Sequence, residues 1–273
     1  MDTLRRSVIA GSWYPGDPAV LREDIEKYFA RVPDLKLTEE ITGIIAPHAG
    51  YVYSGQVAAH AYKLICGKQY DAVVVVGPSH RVAFRGVSVF GVGGYETPLG
   101  VIPIAADLAM AIKSFSKTVE EMPLAHAQEH ALEIQLPFLK VALGEFSFVP
   151  LVMGDQNADT CYDLADAIYR AAHGKKLLIV GSSDLSHFHD YNRALQLDAM
   201  VLKYLQSADA AGLLGSLDSD ICEACGGGPM VVALLTAKRL GAAKVQVLKY
   251  ANSGDVTGDK NSVVGYTAAI CYK

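Results

Sequence analysis

The amino-acid sequence predicts an α/β protein with a single three-layer αβα domain built around a central mixed β-sheet. Runs of Val, Ile and Leu alternate along the chain with amphipathic segments of helical period, and short breaks of Gly, Pro, Asn and Asp separate them. Continuous apolar runs are typical of strands that helices cover on both faces. Because no low-complexity linker, long charge run or internal repeat interrupts this alternation, we expect residues 1–273 to form one domain.

The strand pattern recurs along the whole chain. The predicted strands are residues 42–46, 71–76, 86–90, 146–152, 176–181, 244–250 and 262–271. The segment 86–104 contains the turn Tyr-Glu-Thr-Pro-Leu-Gly, which predicts a hairpin that makes part of the sheet antiparallel. The other strands alternate with helices, and this order favours parallel pairing.

Helical periodicity fills the intervals between the strands. The predicted helices are residues 54–66, 106–115, 129–143, 158–173, 192–206, 208–217 and 229–240. Ser54 is a candidate N-cap of the first helix, because its hydroxyl can accept a hydrogen bond from a first-turn amide. Gly174 is a candidate C-cap glycine, because glycine adopts a positive φ without strain.

Composition excludes several classes of protein. Of the 273 residues, 51% are hydrophobic and 19% are charged, which excludes a disordered or fibrous chain. The formal net charge is −5 and the Lys and Arg residues are scattered, which disfavours a nucleic-acid interface. The sequence contains neither a signal-peptide core nor an apolar run long enough to span a membrane. We therefore expect a cytoplasmic protein without membrane contact, whose five cysteines are reduced thiols.

Three predicted strands are each followed by a polar segment that carries a histidine. His48 follows Gly-Ile-Ile-Ala-Pro, His80 follows a valine run and Gly-Pro-Ser, and His187 follows Leu-Leu-Ile-Val-Gly-Ser-Ser-Asp-Leu-Ser. In α/β proteins, ligands and catalytic groups collect beyond the carboxyl ends of the strands. Each histidine alone could cap a strand by bonding to a loop carbonyl, whereas His48 and His80 together favour a pair of metal ligands.

Cys225 is the best candidate for a third ligand. It lies in Cys-Glu-Ala-Cys-Gly-Gly-Gly-Pro just before a predicted helix start, where the amide dipoles favour a thiolate. It could therefore be a nucleophile or a soft metal ligand. Two alternatives remain open, namely a small buried cysteine and a redox pair with Cys222, although the sequence lacks a thioredoxin-like context.

His187 lies in the polar segment Ser-Ser-Asp-Leu-Ser-His-Phe-His-Asp. Beside a metal its role would be general acid/base catalysis, with Asp184 or Asp190 orienting the imidazole. The alternative is a histidine in a surface loop, and that interpretation suits His189 better.

The stretch His-Ala-Gln-Glu-His-Ala-Leu-Glu places His126, His130 and Glu133 on one face of a predicted helix. The zinc-protease string H-E-x-x-H is absent, and the inverted string H-x-x-E-H matches through Glu129 but is short. We interpret this stretch as a helix that faces the substrate or supports the metal ligands.

An ordered set of short motifs resembles the Memo family. The motifs are Gly-Ser-Trp-Tyr-Pro, Ala-Pro-His-Ala-Gly-Tyr-Val-Tyr-Ser-Gly, Gly-Pro-Ser-His, Glu-His-Ala-Leu-Glu-Ile-Gln-Leu-Pro, Ser-Ser-Asp-Leu-Ser-His, Cys-Gly-Gly-Gly-Pro and Asn-Ser-Gly-Asp-Val-Thr-Gly-Asp. They run in order from Gly11 to Asp259 and so cover nearly the whole chain. Each motif is weak alone, but the ordered set is specific.

The resemblance implies a fold like that of the catalytic subunit of class III extradiol ring-cleaving dioxygenases. In those enzymes two histidines and a carboxylate hold iron(II), and another histidine is the acid/base. The resemblance makes His48 and His80 the imidazole ligands and His187 the acid/base. Cys225 matches the carboxylate position, and a thiolate is softer and also suits copper or zinc. The implied cofactor is a transition metal, with iron(II) first, copper second and zinc third.

Other residues are expected to shape the pocket around this site. Asp184 is assigned to catalysis together with His187. The remaining pocket or supporting residues are Tyr53, Ser79, His130, Glu133 and Asp255. For the loop 252–259 two interpretations stay open, a plain glycine turn between strands or a pocket wall that carries Asp255.

The resemblance favours a redox protein that acts on an unidentified small molecule. One alternative is a zinc-dependent hydrolase that uses the same ligands to lower the pKa of a bound water. Another is a module that binds a peptide or a protein and keeps the pocket as a relic. Prokaryotic relatives occur beside an AMMECR-like protein and a radical S-adenosylmethionine protein, so the resemblance suggests these as partners.

Overall fold

The computed structural model describes residues 3–35 and 37–273 and places a mixed β-sheet between two layers of helices. The strands are β1 (Leu4–Arg5), β2 (Ile41–Ala46), β3 (Ala72–Pro78), β4 (Val87–Val89), β5 (Gly94–Thr97), β6 (Gly100–Pro103), β7 (Val119–Glu121), β8 (Phe148–Met153), β9 (Leu177–Ser182), β10 (His187–His189), β11 (Lys244–Asn252) and β12 (Val263–Tyr272). The helices are α1 (Pro18–Ala30), α2 (Tyr51–Tyr62), α3 (Ala106–Phe115), α4 (Pro123–Ala127), α5 (Leu136–Leu143), α6 (Ala158–Ala171), α7 (Tyr191–Gln206), α8 (Ala210–Asp218), α9 (Gly227–Arg239) and α10 (Ser253–Thr257). The predicted three-layer αβα architecture is confirmed.

Within the part of the chain that the structure describes, the main sheet contains nine strands in the order β10, β12, β2, β9, β3, β8, β4 and β7, with β11 paired to β12. The central strands β2, β9, β3 and β8 pair in parallel, so their carboxyl ends meet at one edge. Their Val, Ile and Leu side chains are buried, as expected for strands covered on both faces. β12 runs antiparallel to β2, and β4 runs antiparallel to β8, which makes the sheet mixed.

Helices cover both faces of this sheet. On one face α9 packs on β9, β2 and β3 and against α6, which in turn contacts α3. On the other face α2 packs on β12 and β2, with α1 and α5 beside it. Across the described residues, none of the helices combines the length and apolar character needed to cross a membrane.

The predicted hairpin forms, but it lies in a second sheet. β5 and β6 pair antiparallel, and β1 adds to β5 in parallel to give three strands. The earlier part of the same segment, β4, joins the main sheet beside β8. The antiparallel pairs of the main sheet therefore come from β4 and β12, and the expectation that the hairpin supplies them is wrong.

The predicted helix 129–143 is wrong in its first half. α4 ends at Ala127, a 3-10 turn covers Glu133–Gln135, and α5 begins only at Leu136. The carboxylate of Glu129 accepts hydrogen bonds from the amides of His130 (2.9 Å) and Ala131 (2.8 Å), and this bonding competes with a helix. His126 therefore lies in α4, His130 in a non-helical segment and Glu133 in the 3-10 turn, so the three residues do not share one helical face.

Two further helix starts differ from the prediction. α2 begins at Tyr51 with Gly50 as its N-cap, and the Ser54 hydroxyl donates instead to the carbonyl of Ala49 (2.8 Å). α1 is absent from the predicted helices, although Asp17 followed by Pro18 is a helix-start signal. Gly174 does adopt a positive φ of 71° beyond the end of α6, as expected for a glycine at this place.

A buried carboxylate fastens the N-terminal segment to the rest of the chain. Glu133 pairs with the guanidinium of Arg5, and its carboxylate also accepts hydrogen bonds from the Tyr14 hydroxyl (2.7 Å) and the amides of Val8 (3.0 Å) and Ile9 (3.2 Å). The side chains of Arg5 and Glu133 are 3% and 0% exposed. These contacts hold the strand β1 and the following loop against the segment between α4 and α5.

Glu133→Gln is expected to lower the free energy of unfolding by about 3–5 kcal/mol, because the buried guanidinium of Arg5 loses its counter-ion. Arg6→Ala is the matched control, since Arg6 pairs with Glu96 at the surface and such pairs contribute about 1 kcal/mol or less. Urea unfolding followed by circular dichroism measures both changes. Equal losses in the two variants would contradict the anchoring role of Glu133.

Candidate metal site

Neighbouring parallel strands bring the predicted site residues together. The turns after β2 and β3 carry His48 and His80, and β9 between these strands ends at Ser182. Cys225 arrives from the opposite direction, just before α9, which packs across β9. At Gly226 a Cβ would lie 2.3 Å from the carbonyl oxygen of Ser182, so only glycine lets this turn approach the strand end.

His48, His80 and Cys225 form one candidate ligand group. One ligand atom from each of them lies within 4.8 Å of the other two. The Sγ of Cys225 is 3.0 Å from Nε2 of His48, and the rings of His48 and His80 are 5.1 Å apart and nearly perpendicular. The structure therefore brings together the three side chains that the sequence analysis proposed as ligands.

Hydrogen bonds select the ring nitrogen that His48 offers to the group. The Ser182 hydroxyl donates to the carbonyl of Ala131 (2.7 Å) and accepts from the amide nitrogen of Gln135 (2.8 Å). Its other lone pair then accepts from Nδ1 of His48, which is 3.0 Å away. Nε2 of His48 is consequently the nitrogen with a free lone pair, and it points at Cys225.

Glu129 determines which ring nitrogen His80 offers to the group. Its Oε1 lies 2.9 Å from Nδ1 of His80, and its Oε2 accepts the backbone amide of His80 at 2.6 Å. A carboxylate only accepts hydrogen bonds, so Nδ1 carries the proton and Nε2 remains for coordination. Such carboxylate contacts orient the histidine ligands of metal sites.

Glu129 also belongs to a second candidate group with His80 and His130. Nδ1 of His130 lies 3.4 Å from Oε1 of Glu129, and this nitrogen has no hydrogen-bond partner within the described chain. The ring of His130 packs on the rings of His80 (4.5 Å) and Trp13 (4.4 Å). His130 therefore lies beside the proposed ligands.

Burial decides the protonation of the ligand atoms. It lowers the pKa of His48 to about 3, so this imidazole is neutral. Burial also raises the pKa of the Cys225 thiol well above its usual range, so without a metal the thiol keeps its proton. Burial alone would raise the pKa of Glu129, but the hydrogen bonds that its carboxylate accepts from His80 and from the amide of Ala131 outweigh burial and bring the value to about 2.

His187 and Asp184 line the same cavity, but the predicted hydrogen bond between them is not formed. Nδ1 of His187 donates to the carbonyl of Leu185 (2.8 Å), and Asp190 caps α7. Asp184 instead accepts the amides of His48 (2.7 Å) and Ala49 (3.3 Å). The expectation that a carboxylate orients His187 is wrong, because the sharp turn after β9 brings a carbonyl closer to the ring.

The pKa of Asp184 is raised to about 6, chiefly because the carboxyl group is buried. Its backbone amide also donates to the Sγ of Cys225 at 3.3 Å. Asp184 therefore fixes the turn that carries His48 and touches the cysteine, which makes it a positioning residue for the ligand group.

A cavity of about 450 Å³ opens onto the imidazoles. The polar side chains of His48, His80, His130, Asp184 and His187 form one part of its wall. The rest of the lining is mainly apolar and aromatic: Ser12, Trp13, Ala49, Gly50, Val52, Tyr53, Val264 and Tyr266. Apolar walls with a few converging polar groups are typical of small-molecule sites.

Of the other residues predicted to shape the pocket, only some line the cavity. Tyr53 lies on the cavity wall, and Ser79 holds the turn that contains His80 through a hydrogen bond from its hydroxyl to the Val82 carbonyl (2.6 Å). Glu133 binds the N-terminal segment, as described above. Asp255 bonds with the amide of Asn252 (2.9 Å) in the capping box of α10 and does not line the cavity.

Several residues of the site have no clear signal in the sequence. Ser182 and Gln135 orient His48 from elements distant in sequence, and nothing in the local pattern marks them. The sequence marks Glu129 only within the short string H-x-x-E-H, although Glu129 is the carboxylate partner of His80. Trp13 lies in the motif Gly-Ser-Trp-Tyr-Pro, which was a signal of resemblance without an assigned place.

The five cysteines are free thiols. Cys222 is buried, and burial raises its pKa to about 11, so it is a protonated thiol near neutral pH. A disulfide between Cys222 and Cys225 is not formed in this structure. The redox-pair interpretation of these cysteines therefore gains no support.

Known proteins resemble this chain over nearly its full length. The family model described as Memo-like protein matches residues 5–270. A MEMO1 family protein of Methanothermobacter thermautotrophicus is 36% identical over 272 residues, covering 96% of this chain and 98% of that protein. A MEMO1 family protein of Desulfurococcus amylolyticus is 37% identical over 281 residues, covering 98% and 99%.

The fold also resembles a solved structure of distant sequence. The crystal structure of an uncharacterized protein from Escherichia coli K12 covers 85% of this chain and 100% of its own, with a TM-score of 0.53 and 13% identity. At that identity the likeness concerns the fold alone. The family match over residues 5–270 and the full-length relatives confirm the resemblance drawn from the motifs, and the chain belongs to the Memo family.

Proposed function

We propose that the chain binds a transition metal through His48, His80 and Cys225 and performs redox chemistry on a small molecule held in the adjacent cavity. The observation that carries this proposal is the convergence of the three ligand atoms within 4.8 Å of one another, with His48 and His80 on the wall of an apolar cavity. Two imidazoles and a thiolate suit iron(II), copper and zinc. Iron(II) is the first choice because the resemblance to extradiol dioxygenases implies it, copper is the second, and zinc, the third, would support only the alternative of a hydrolase because it does not transfer electrons.

Each of the three donor residues, His48, His80 and Cys225, is suited to bind a metal. Nε2 of His48 has a free lone pair, and Nδ1 of His80 is held by Glu129 so that its Nε2 can coordinate. Both rings are therefore oriented before a metal arrives, which favours binding. Displacement of the Cys225 proton by a metal would supply the negative ligand, and the amide of Asp184 can then donate to the thiolate.

A bound metal would supply Lewis acidity and the capacity to transfer electrons. The residues of the chain would supply the proton chemistry and the binding. His187 donates from Nδ1 to Leu185, so its Nε2 is the atom that would accept a proton from a hydroxyl group of the bound molecule. Trp13, Tyr53 and Tyr266 would pack on that molecule and exclude water from it.

Metal content tests the proposal directly. Protein purified without oxygen is expected to hold a stoichiometric transition metal, which His80→Ala and Cys225→Ala lose because each removes a ligand. Cys222→Ala is the matched control and keeps the metal, since Cys222 lies outside the ligand group. His187→Ala also keeps it for the same reason. Elemental analysis of the purified variants provides the measurement.

The same experiment separates the competing functions. Wild-type protein that stays free of metal after reconstitution with iron, copper or zinc would refute a metal-dependent enzyme and favour a peptide-binding or protein-binding module. Tight zinc together with turnover of an ester or amide in the absence of oxygen would favour a hydrolase.

Glu129→Gln tests the support of His80. The variant is expected to bind the metal about 10–100-fold more weakly, because the neutral amide orients the imidazole less firmly and makes it less basic. Competition with a chelator of known affinity measures the change. Glu120→Gln, which alters an exposed carboxylate on β7, is the control and should leave the affinity unchanged. Equal affinities of the Glu129 and Glu120 variants would show that the contact with His80 does not tune the site.

A further inference from the structure

A strongly basic cavity lies at the end of the sheet opposite the metal site. Its volume is about 890 Å³. Lys176 lies just before β9, whose other end is Ser182, and Arg239 ends α9, whose other end follows Cys225. Since α9 has 13 residues, the two sites are roughly 20 Å apart. We call this feature the basic cavity and define it by its charged lining: Glu40, Arg170, Lys175, Lys176, Arg239 and Lys273.

The charge of the basic cavity opposes that of the whole chain. Five lysine and arginine side chains line it, while the formal net charge of the protein is −5. Lys273 pairs with Glu40 (3.1 Å) and the two arginines share Asp166, so the positive charges outnumber the carboxylates that face them. Like charges gathered around one cavity repel one another, and a bound anion relieves that repulsion.

Helix ends explain only part of this cluster. Arg170 and Arg239 lie in the last turns of α6 and α9, where cations commonly compensate the helix dipole. Lys175, Lys176 and Lys273 lie outside any helix. The dipoles of these two helices therefore do not account for the lysines.

The two guanidinium groups are held in place before any ligand binds. Both pair with Asp166, and they lie over aromatic rings, Arg170 over Phe115 (4.3 Å) and Arg239 over Tyr169 (5.7 Å). A guanidinium has five N–H donors, and Asp166 occupies only some of them. Donors fixed in this way bind an oxyanion with a smaller loss of side-chain entropy.

We infer that the basic cavity binds a small molecule that carries two or more phosphate groups. Arginine pairs with phosphate through parallel hydrogen bonds, and lysines add point charges around it. The volume lies within the range of small-molecule sites and exceeds what one phosphate needs. This site is separate from the metal site and does not depend on the function proposed for it.

Inorganic tripolyphosphate is the probe, and isothermal titration calorimetry is the measurement. The wild-type protein is expected to bind it, and the affinity should fall as the salt concentration rises. Lys175→Glu combined with Lys176→Glu should weaken binding at least about tenfold, because two cations become anions at the cavity. Circular dichroism verifies that this variant is folded.

The matched control carries Arg193→Glu and Lys203→Glu on the exposed side of α7. It makes the same change in net charge, and its affinity should stay within about twofold of the wild type. Absence of binding to the wild-type protein, or equal weakening in both double variants, would overturn the proposal. Tripolyphosphate could also release heat by extracting a bound metal. That heat would be the same in both double variants, and it would therefore count as absence of binding at the basic cavity. Binding to vesicles of anionic phospholipid without binding of tripolyphosphate would also overturn it.

Discussion

The carboxylates of Glu129 and Glu133 are both buried, and each must find donors in distant parts of the chain. Glu129 accepts from the ring and the amide of His80, and Glu133 accepts from Arg5 and from the loop that follows β1. The short stretch that carries both residues is thereby tied to the turn after β3 and to the N-terminal segment. Trp13 lies in that segment, so the same constraint also places one wall of the cavity.

The geometry of the ligand group depends on this framework. His48 is oriented through Ser182 and Gln135, and Gln135 is itself held by the carbonyl of Pro47 (3.0 Å) and the hydroxyl of Tyr62 (2.7 Å). Burial keeps the imidazole neutral and the Cys225 thiol protonated, since a charge without a partner is costly there. The ligand group thus carries no charge on His48 or Cys225 before a metal binds. Binding of a metal ion would displace the proton of the Cys225 thiol.

The two ends of the sheet differ in chemical character. At the carboxyl ends of the parallel strands, imidazoles and aromatic rings surround a mainly apolar cavity, and the thiol of Cys225 lies behind them against His48. At the amino ends, lysines and arginines surround an open basic one. α9 and β9 span the distance between them, and their side chains are largely buried, so the two sites share a rigid frame while their chemistry stays separate.

Local pattern alone was enough to predict the αβα layers, most strands and the three histidines at strand ends. Strand pairing brings residues that follow parallel strands to one edge, and this rule holds without knowledge of side-chain contacts. The pattern failed at residues 129–143, where the bonds of Glu129 to backbone amides replace a helix, and it missed the short strand β1. The partners of each imidazole, the Arg5 and Glu133 pair, and the place of Asp255 outside the cavity were decided by tertiary structure. Those contacts join residues far apart in sequence, and the need to satisfy buried polar groups selects them only when the whole chain is folded.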